Sequence, residues 1–236
     1  SGNAQALAQT VLMAAGSNLI SLNTASPGPK APATPQPRHD WNGKVVVIGS
    51  STGGVDALLQ VLSSMPDDGP PIVIAQHMPV TFLESFAARL QRNCRPSVSL
   101  SEDGARLRQG KVYLAAGGDT HAVLSQPDPY RLSHTVHDGS EAYVPSVNLL
   151  FSSAIRHARR IVAVMLTGMG SDGSVPMLQL RKAGAHTIVQ DAASAVIDGM
   201  PRSARDIGAA VEVVPLARIG ARILRSTSKS QQEPET

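Results

Sequence analysis

Three short stretches carry residue types that could act together as one chemical unit: GSSTGG at 49–54, QHMP at 76–79 and LTGMGSDGS at 166–174. In the first, Gly49, Ser51 and Gly53 fit the G-x-S-x-G pattern of a strand-to-helix turn that exposes a nucleophilic serine. Flanking glycines let such a turn bend sharply, and the N–H groups opening the following helix favour developing negative charge. Two other readings of the loop stand beside this one: a phosphate-binding turn, and a Gly-rich joint whose serine merely caps the helix. The phosphate reading lacks its usual partners, because there is no G-x-G-x-x-G, no G-K-[ST], and no Lys or Arg between Gly49 and Gln60.

A nucleophilic serine needs a base. The QHMP stretch, with His77, follows the apolar run PIVIA directly, and imidazole, which ionises near pH 6.5 in model peptides, suits proton transfer at neutral pH. His121, His134 and His137 fall instead in a turn-rich middle segment, and His39 in a proline-rich one. In the third stretch, Asp172 among the glycines could orient a histidine, and the flexible backbone around Met169 could aim N–H groups at a substrate. An ordinary Asp-Gly turn or helix cap is the alternative for Asp172 alone. Taken together, the loops supply serine, histidine and aspartate in that chain order, unlike the Ser, Asp, His order of α/β-hydrolases.

For those side chains to meet, the loops must lie at strand ends on one edge of a sheet, and the surrounding pattern predicts a strand before each of them. KVVVIG precedes VDALLQVLSSM, where Val55, Leu58, Leu59 and Leu62 share a helical face before Pro66. PIVIAQ precedes TFLESFAARL, with Thr81 and Glu84 at capping-box spacing and Phe82, Phe86 and Leu90 as its stripe. SVNLLFSSAIRHA sets Val147, Leu150, Phe151 and Ala154 on one face. RIVAVML, a helix VPMLQLRKA closed by Gly184, HTIVQ, the short helix MPRSARDIG and AAVEVV complete the series. Apolar strands alternating with helices predict an α/β fold, a doubly wound and mostly parallel sheet with helices on both faces. Such sheets bind ligands beyond the carboxyl ends of their strands, where all three loops fall. The segment from VSLSED to HTVHDG, including KVYLAAGG, HAVLSQ and YRLSHTV, predicts a β-hairpin insertion.

The chain has 236 residues, 42% of them apolar, enough for a sizeable core. Lys and Arg exceed Asp and Glu by only 21 to 18, without the basic and aromatic interleaving of a nucleic-acid surface. The single cysteine, Cys94, can form no internal disulfide and lacks zinc-ligand spacing, which suits a reducing compartment such as the cytoplasm. Nothing reads as an export signal or a membrane span. Residues 1–41 are expected to be an N-terminal segment with a proline-rich linker, 42–225 the folded domain, and 226–236 a disordered tail.

The ordered series IGSSTGG, QHMP with FLESFAARL, LAAGGDTH, PSV at 145–147, LTGMGSDG and QDAASAVIDGMP resembles the catalytic domain of the bacterial chemotaxis protein-glutamate methylesterases, which are also protein-glutamine glutaminases. The likeness runs from Lys44 to about Arg225 and is far more specific than a lone G-x-S-x-G. It implies Ser51 as nucleophile, His77 as base and Asp172 as the orienting carboxylate, and it selects Ser51 over Ser50, which stands where the family usually has alanine. The activity implied is hydrolysis of glutamate methyl esters on chemoreceptor cytoplasmic helices, releasing methanol, and deamidation of receptor glutamines. No cofactor or metal is required. For the oxyanion, the expected donors are the N–H of Thr52 and one from the Gly168-Met169-Gly170 turn, with Gly53 in support. The family commonly has arginine before PSV and aspartate after it, whereas this chain has Val144 and Asn148, which bears on any receptor contact made there. The resemblance also implies an upstream receiver domain phosphorylated by a histidine kinase, with the proline-rich stretch as part of its linker, or else a stand-alone enzyme.

Overall fold

In a computed structural model, which describes residues 38–229 apart from Pro127, the run VVVIGS forms strand β1 (Val45–Ser50), buried along its whole length. A strand with no polar face needs cover on both sides, and β1 receives it by lying at the centre of a seven-stranded parallel sheet. The other strands are β2 (Ile72–Gln76), β3 (Ser97–Leu100), β4 (Lys111–Leu114), β7 (Ile161–Met165), β8 (His186–Gln190) and β9 (Glu212–Val214), in the order β3-β4-β2-β1-β7-β8-β9. Strands β5 (Thr120–Leu124) and β6 (Leu132–Val136) form a separate antiparallel hairpin. The β insertion predicted from the sequence is therefore smaller than expected. KVYL and SVSL belong to the main sheet, where Val112 pairs in register with Ile72 and Val98 with Val112.

Alternation along β1 sorts the core into two layers. Val46 and Ile48 face a cluster containing Leu58 and Leu62 of α1 (Gly54–Ser63), Leu83, Phe86 and Leu90 of α2 (Val80–Asn93), and Ile219 and Ile223 of α6 (Leu216–Thr227). Val45 and Val47 face Leu150 and Phe151 of α3 (Val147–Ala154), Met177 and Leu180 of α4 (Ser174–Lys182), and Met200 and Ala204 of α5 (Met200–Asp206). Burying each such large side chain stabilises by roughly 1.5–3 kcal/mol as an upper figure. Cys94, at the end of α2, is buried too, which pushes its thiol pKa up to about 11.

Two local expectations change. Helix α2 begins at Val80 after Pro79, so Thr81 is already inside the first turn and forms no capping box; Phe82 then points outward and Leu83 takes its place in the core. At the other end, α6 continues through Thr227, beyond the expected boundary at Arg225. Asn42 N–H donates to Thr227 O, and Trp41 bridges Ser228, so residues 226–229 pack against 39–42. The rest of the expected tail, and the N-terminal segment and linker up to 37, lie outside the described residues. Among the described residues no helix is long and apolar enough to cross a membrane.

Candidate active site

Because β1 is flanked by β2 on one side and β7 on the other, the loops after these three strands must converge. Ser51 follows β1, His77 follows β2, and Asp172 ends the loop after β7. Register pairs Ser50 with Gln76, and His77 N–H donates to Ser50 O, so the main chains of Ser51 and His77 run side by side. Gln76 secures them further: its Nε2 donates to Ser51 O at 2.9 Å and His77 O at 3.0 Å, and its Oε1 accepts from Ser50 Oγ at 2.6 Å. Ser50 is thus fully buried and committed to Gln76, while Ser51 remains partly exposed.

His77 Nε2 lies 2.7 Å from Asp172 Oδ2, and both side chains are almost wholly buried. The opposite ring nitrogen, Nδ1, is buried with no hydrogen-bond partner among the described residues. It makes no bond to Ser51 Oγ in this structure. Asp172 also accepts from Val147 N–H at 2.8 Å and Asn148 N–H at 2.9 Å, the amides that open α3. A helix N-terminus holding a carboxylate gains from both the free N–H groups and the macrodipole. Asn148 works inside this arrangement: its Oδ1 accepts from Gly173 N–H at 2.7 Å. Gly173 has φ +87°, a conformation that lets the chain turn from Asp172 straight into α4.

The loop after β7 is fixed by the segment after β8. Gln190 Oε1 accepts from Thr167 N–H, Ile197 O from Gly168 N–H, and Gly168 O from the N–H groups of Gly199 and Met200. Of the expected oxyanion donors, Gly168 N–H is therefore spent. The N–H groups of Thr52, Met169 and Gly170 have no protein acceptor among the described residues. Gly168 is also pressed against the serine: a Cβ there would lie 2.4 Å from Met200 Sδ and 2.7 Å from Ser51 Cβ. Gly168→Ala is accordingly expected to push the Ser51 turn out of place and lower kcat by about 10- to 100-fold, with a fall in melting temperature. Ester hydrolysis rates and thermal unfolding of the purified variant check this.

Gln76 and Gln190, each the first residue of a quoted motif, and Tyr143, which lies in none, are neighbours of the site that the sequence reading did not single out. A signal existed for the two glutamines, since each closes an otherwise apolar run, IVIAQ and HTIVQ, and each is buried at its strand end. Tyr143 stacks on His77 with ring centroids 4.1 Å apart and planes 11° from parallel, and nothing in EAYVPS announces a contact so distant in sequence.

Beneath the start of α3 lies a titratable support. Ser146 N–H donates to Nδ1 of the buried His121, whose Nε2 faces His137 Nδ1 at 3.0 Å. Burial lowers the His121 pKa, and the neighbouring His137 lowers it further against the pull of Glu141, Asp138 and Asp172. With the native pKa below the unfolded value of about 6.5, the neutral ring contributes stability above that pH and loses it as pH falls through the native value. Melting temperature is expected to drop between pH 7 and pH 5, and to drop less in His121→Asn, whose Oδ1 can replace Nδ1 as acceptor. His39, His157 and His186, also lowered by burial, keep the remaining slope. Equal slopes in the two proteins would discount this role.

Fold and site together define a doubly wound α/β protein that presents serine, imidazole and carboxylate on adjoining loops at the carboxyl edge of its sheet. The CheB methylesterase family profile matches residues 46–223, and the chain belongs to that family. It is 43% identical over 229 residues to the protein-glutamate methylesterase/protein-glutamine glutaminase of Agrobacterium fabrum, covering 96% of this chain and 65% of that one. Likeness to a Caulobacter vibrioides protein of the same name is 45% over 227 residues, covering 94% and 65%. The CheB methylesterase catalytic domain of Thermotoga maritima superposes with TM-score 0.72 at 34% identity, covering 78% of this chain and 98% of that one. The chain thus spans about 65% of the length of those two curated relatives.

Proposed function

We propose that this chain is a serine hydrolase that demethylates glutamate methyl esters on chemoreceptors and deamidates receptor glutamines. The observation that carries the reading is the hydrogen bond between His77 Nε2 and Asp172, which leaves the opposite nitrogen of a buried imidazole without a partner among the described residues, on a loop whose main chain adjoins that of Ser50 and Ser51. Names of the relatives support the substrate class.

In this reading His77 Nδ1 takes the Ser51 hydroxyl proton as Oγ attacks the ester carbonyl. The tetrahedral oxyanion is met by the N–H groups of Thr52 and of Met169 or Gly170, with Gly53 shaping the turn. His77 then returns the proton to the leaving methoxide, methanol departs, and water, deprotonated by the same imidazole, releases the carboxylate from the acyl-enzyme. With glutamine the leaving group is ammonia. Asp172 holds the tautomer and balances the imidazolium. The domain proposed for this work is the segment from about residue 42 onward, acting in the cytoplasm on receptor helices, with an upstream receiver domain as its regulator.

The test is methanol release from receptor membranes methylated with a labelled methyl group, beside a generic soluble methyl ester. Release from the receptor alone, or far faster than from the generic ester, supports the reading. Equal slow hydrolysis of both points to a serine esterase with another protein substrate. No hydrolysis of either, with nucleotide or sugar phosphate raising the melting temperature, would replace it with phosphate binding.

A further inference from the structure

We propose that Tyr143 is a positioning residue for His77, holding the plane of the imidazole in which Nδ1 is to receive the Ser51 proton. This rests on the reading of His77 as the base. The covalent bond at Cγ and the hydrogen bond from Nε2 to Asp172 hold two nearly opposite points of the ring, but its plane can still turn about the line between them. A flat surface against its face removes that freedom, and Tyr143 supplies one, 4.1 Å away and 11° from parallel. Tyr143 is itself 42% exposed, yet the His77 side chain beneath it is only 6% exposed. The tyrosine is an outer wall: one face meets the imidazole, while its hydroxyl lies toward Gly170, 3.7 Å from where a Cβ there would sit.

A surface aromatic on an irregular segment would ordinarily be free to swing away. Here the segment is pinned on both sides. Two residues before Tyr143, the Glu141 carboxylate accepts from Ser146 Oγ at 2.8 Å and from Asn148 Nδ2 at 3.4 Å. After it, Pro145 and Ser146 are buried, and Ser146 N–H is held by His121. Those same contacts seat the first turn of α3, whose amides hold Asp172. One scaffold therefore presents a carboxylate to the edge of the imidazole and an aromatic ring to its face. Once His77 takes the serine proton, the positive ring lies over the tyrosine π-face, an arrangement that favours the cation.

Four proteins test this: wild type, Ser51→Ala, Tyr143→Ala and Tyr143→Phe, each measured for methyl ester hydrolysis, for labelling by a fluorophosphonate and for melting temperature. Tyr143→Ala is expected to lower kcat and the labelling rate by about 10- to 100-fold, the scale of a slightly misplaced catalytic group. KM should stay within about two-fold, and Tyr143→Phe should recover most of the rate, because the face and not the hydroxyl is used. The proposal is overturned if Tyr143→Ala keeps wild-type kcat, if only KM changes, or if Tyr143→Phe is as impaired as Tyr143→Ala. If wild type neither hydrolyses nor labels, or Ser51→Ala does so equally well, it is the assignment of His77 as base that fails. The imidazole NMR spectrum decides the positioning claim even then. His77 ring protons should carry an upfield ring-current shift in wild type and Tyr143→Phe that disappears in Tyr143→Ala, and an unchanged spectrum in Tyr143→Ala refutes it.

Discussion

Replacing Ser51 with alanine is expected to lower kcat for glutamyl methyl ester hydrolysis on the order of 10⁶-fold, the scale seen when a triad serine is lost, while melting temperature hardly moves. The second half of that expectation comes from the hydrogen bonds. Ser51 is tied into the fold by its main chain, with N–H donating to Thr167 O and O accepting from Gln76 Nε2, and alanine preserves both. Its hydroxyl supports nothing else among the described residues, so what the substitution removes is the proposed nucleophile. The neighbouring serine behaves oppositely. Ser50 Oγ donates to the buried Gln76 Oε1, and removing it leaves that oxygen unpaired at a cost of about 1–3 kcal/mol. Two adjacent hydroxyls thus separate by measurement: one loss falls on turnover, the other mainly on stability. Retention of more than a percent of wild-type turnover by folded Ser51→Ala would sink the nucleophile assignment.

How much of this was legible in the sequence depended on where the information lay. Strands β1, β2, β7 and β8 read clearly because parallel strands covered on both faces are apolar throughout, and the three Gly- or His-bearing loops were visible as the residues ending three of those runs. β3 and β4 were assigned to the insertion because SVSL and KVYL are short and partly polar. Only their parallel pairing across the edge of the sheet, a contact no local pattern encodes, reveals them as part of it. The capping box at Thr81 failed for a local reason: Pro79, with its fixed φ, starts the helix just ahead of that residue. Asp172 was identified by its loop, but not how it is held, since its partners on α3 are far away in the chain. Tyr143 stayed hidden for the same reason. It lies in a segment with no period, and its value comes from one ring face meeting another.

Asp172→Asn is expected to lower kcat about 10⁴-fold, through charge and tautomer rather than through distance. In the native protein Oδ2 accepts from both His77 Nε2 and Val147 N–H, while Oδ1 accepts from Asn148 N–H, so both oxygens act only as acceptors. An amide cannot reproduce this. If its NH₂ takes the Oδ2 place, it confronts Val147 N–H and donates to His77 Nε2, which forces the ring proton onto Nδ1, where the serine proton should go. If its NH₂ takes the Oδ1 place, the His77 contact survives, but two donors meet at Asn148 and the negative charge that balances the imidazolium is gone. Either arrangement leaves an amide of α3 without its acceptor, at about 1–3 kcal/mol. A purely structural aspartate would show that stability loss alone. The catalytic reading requires both effects: melting temperature lower by a few degrees, and kcat far below what the folded fraction explains. Turnover within ten-fold of wild type, measured on fully folded Asp172→Asn at a temperature well under its melting point, would leave Asp172 as no more than a partner for the α3 N-terminus.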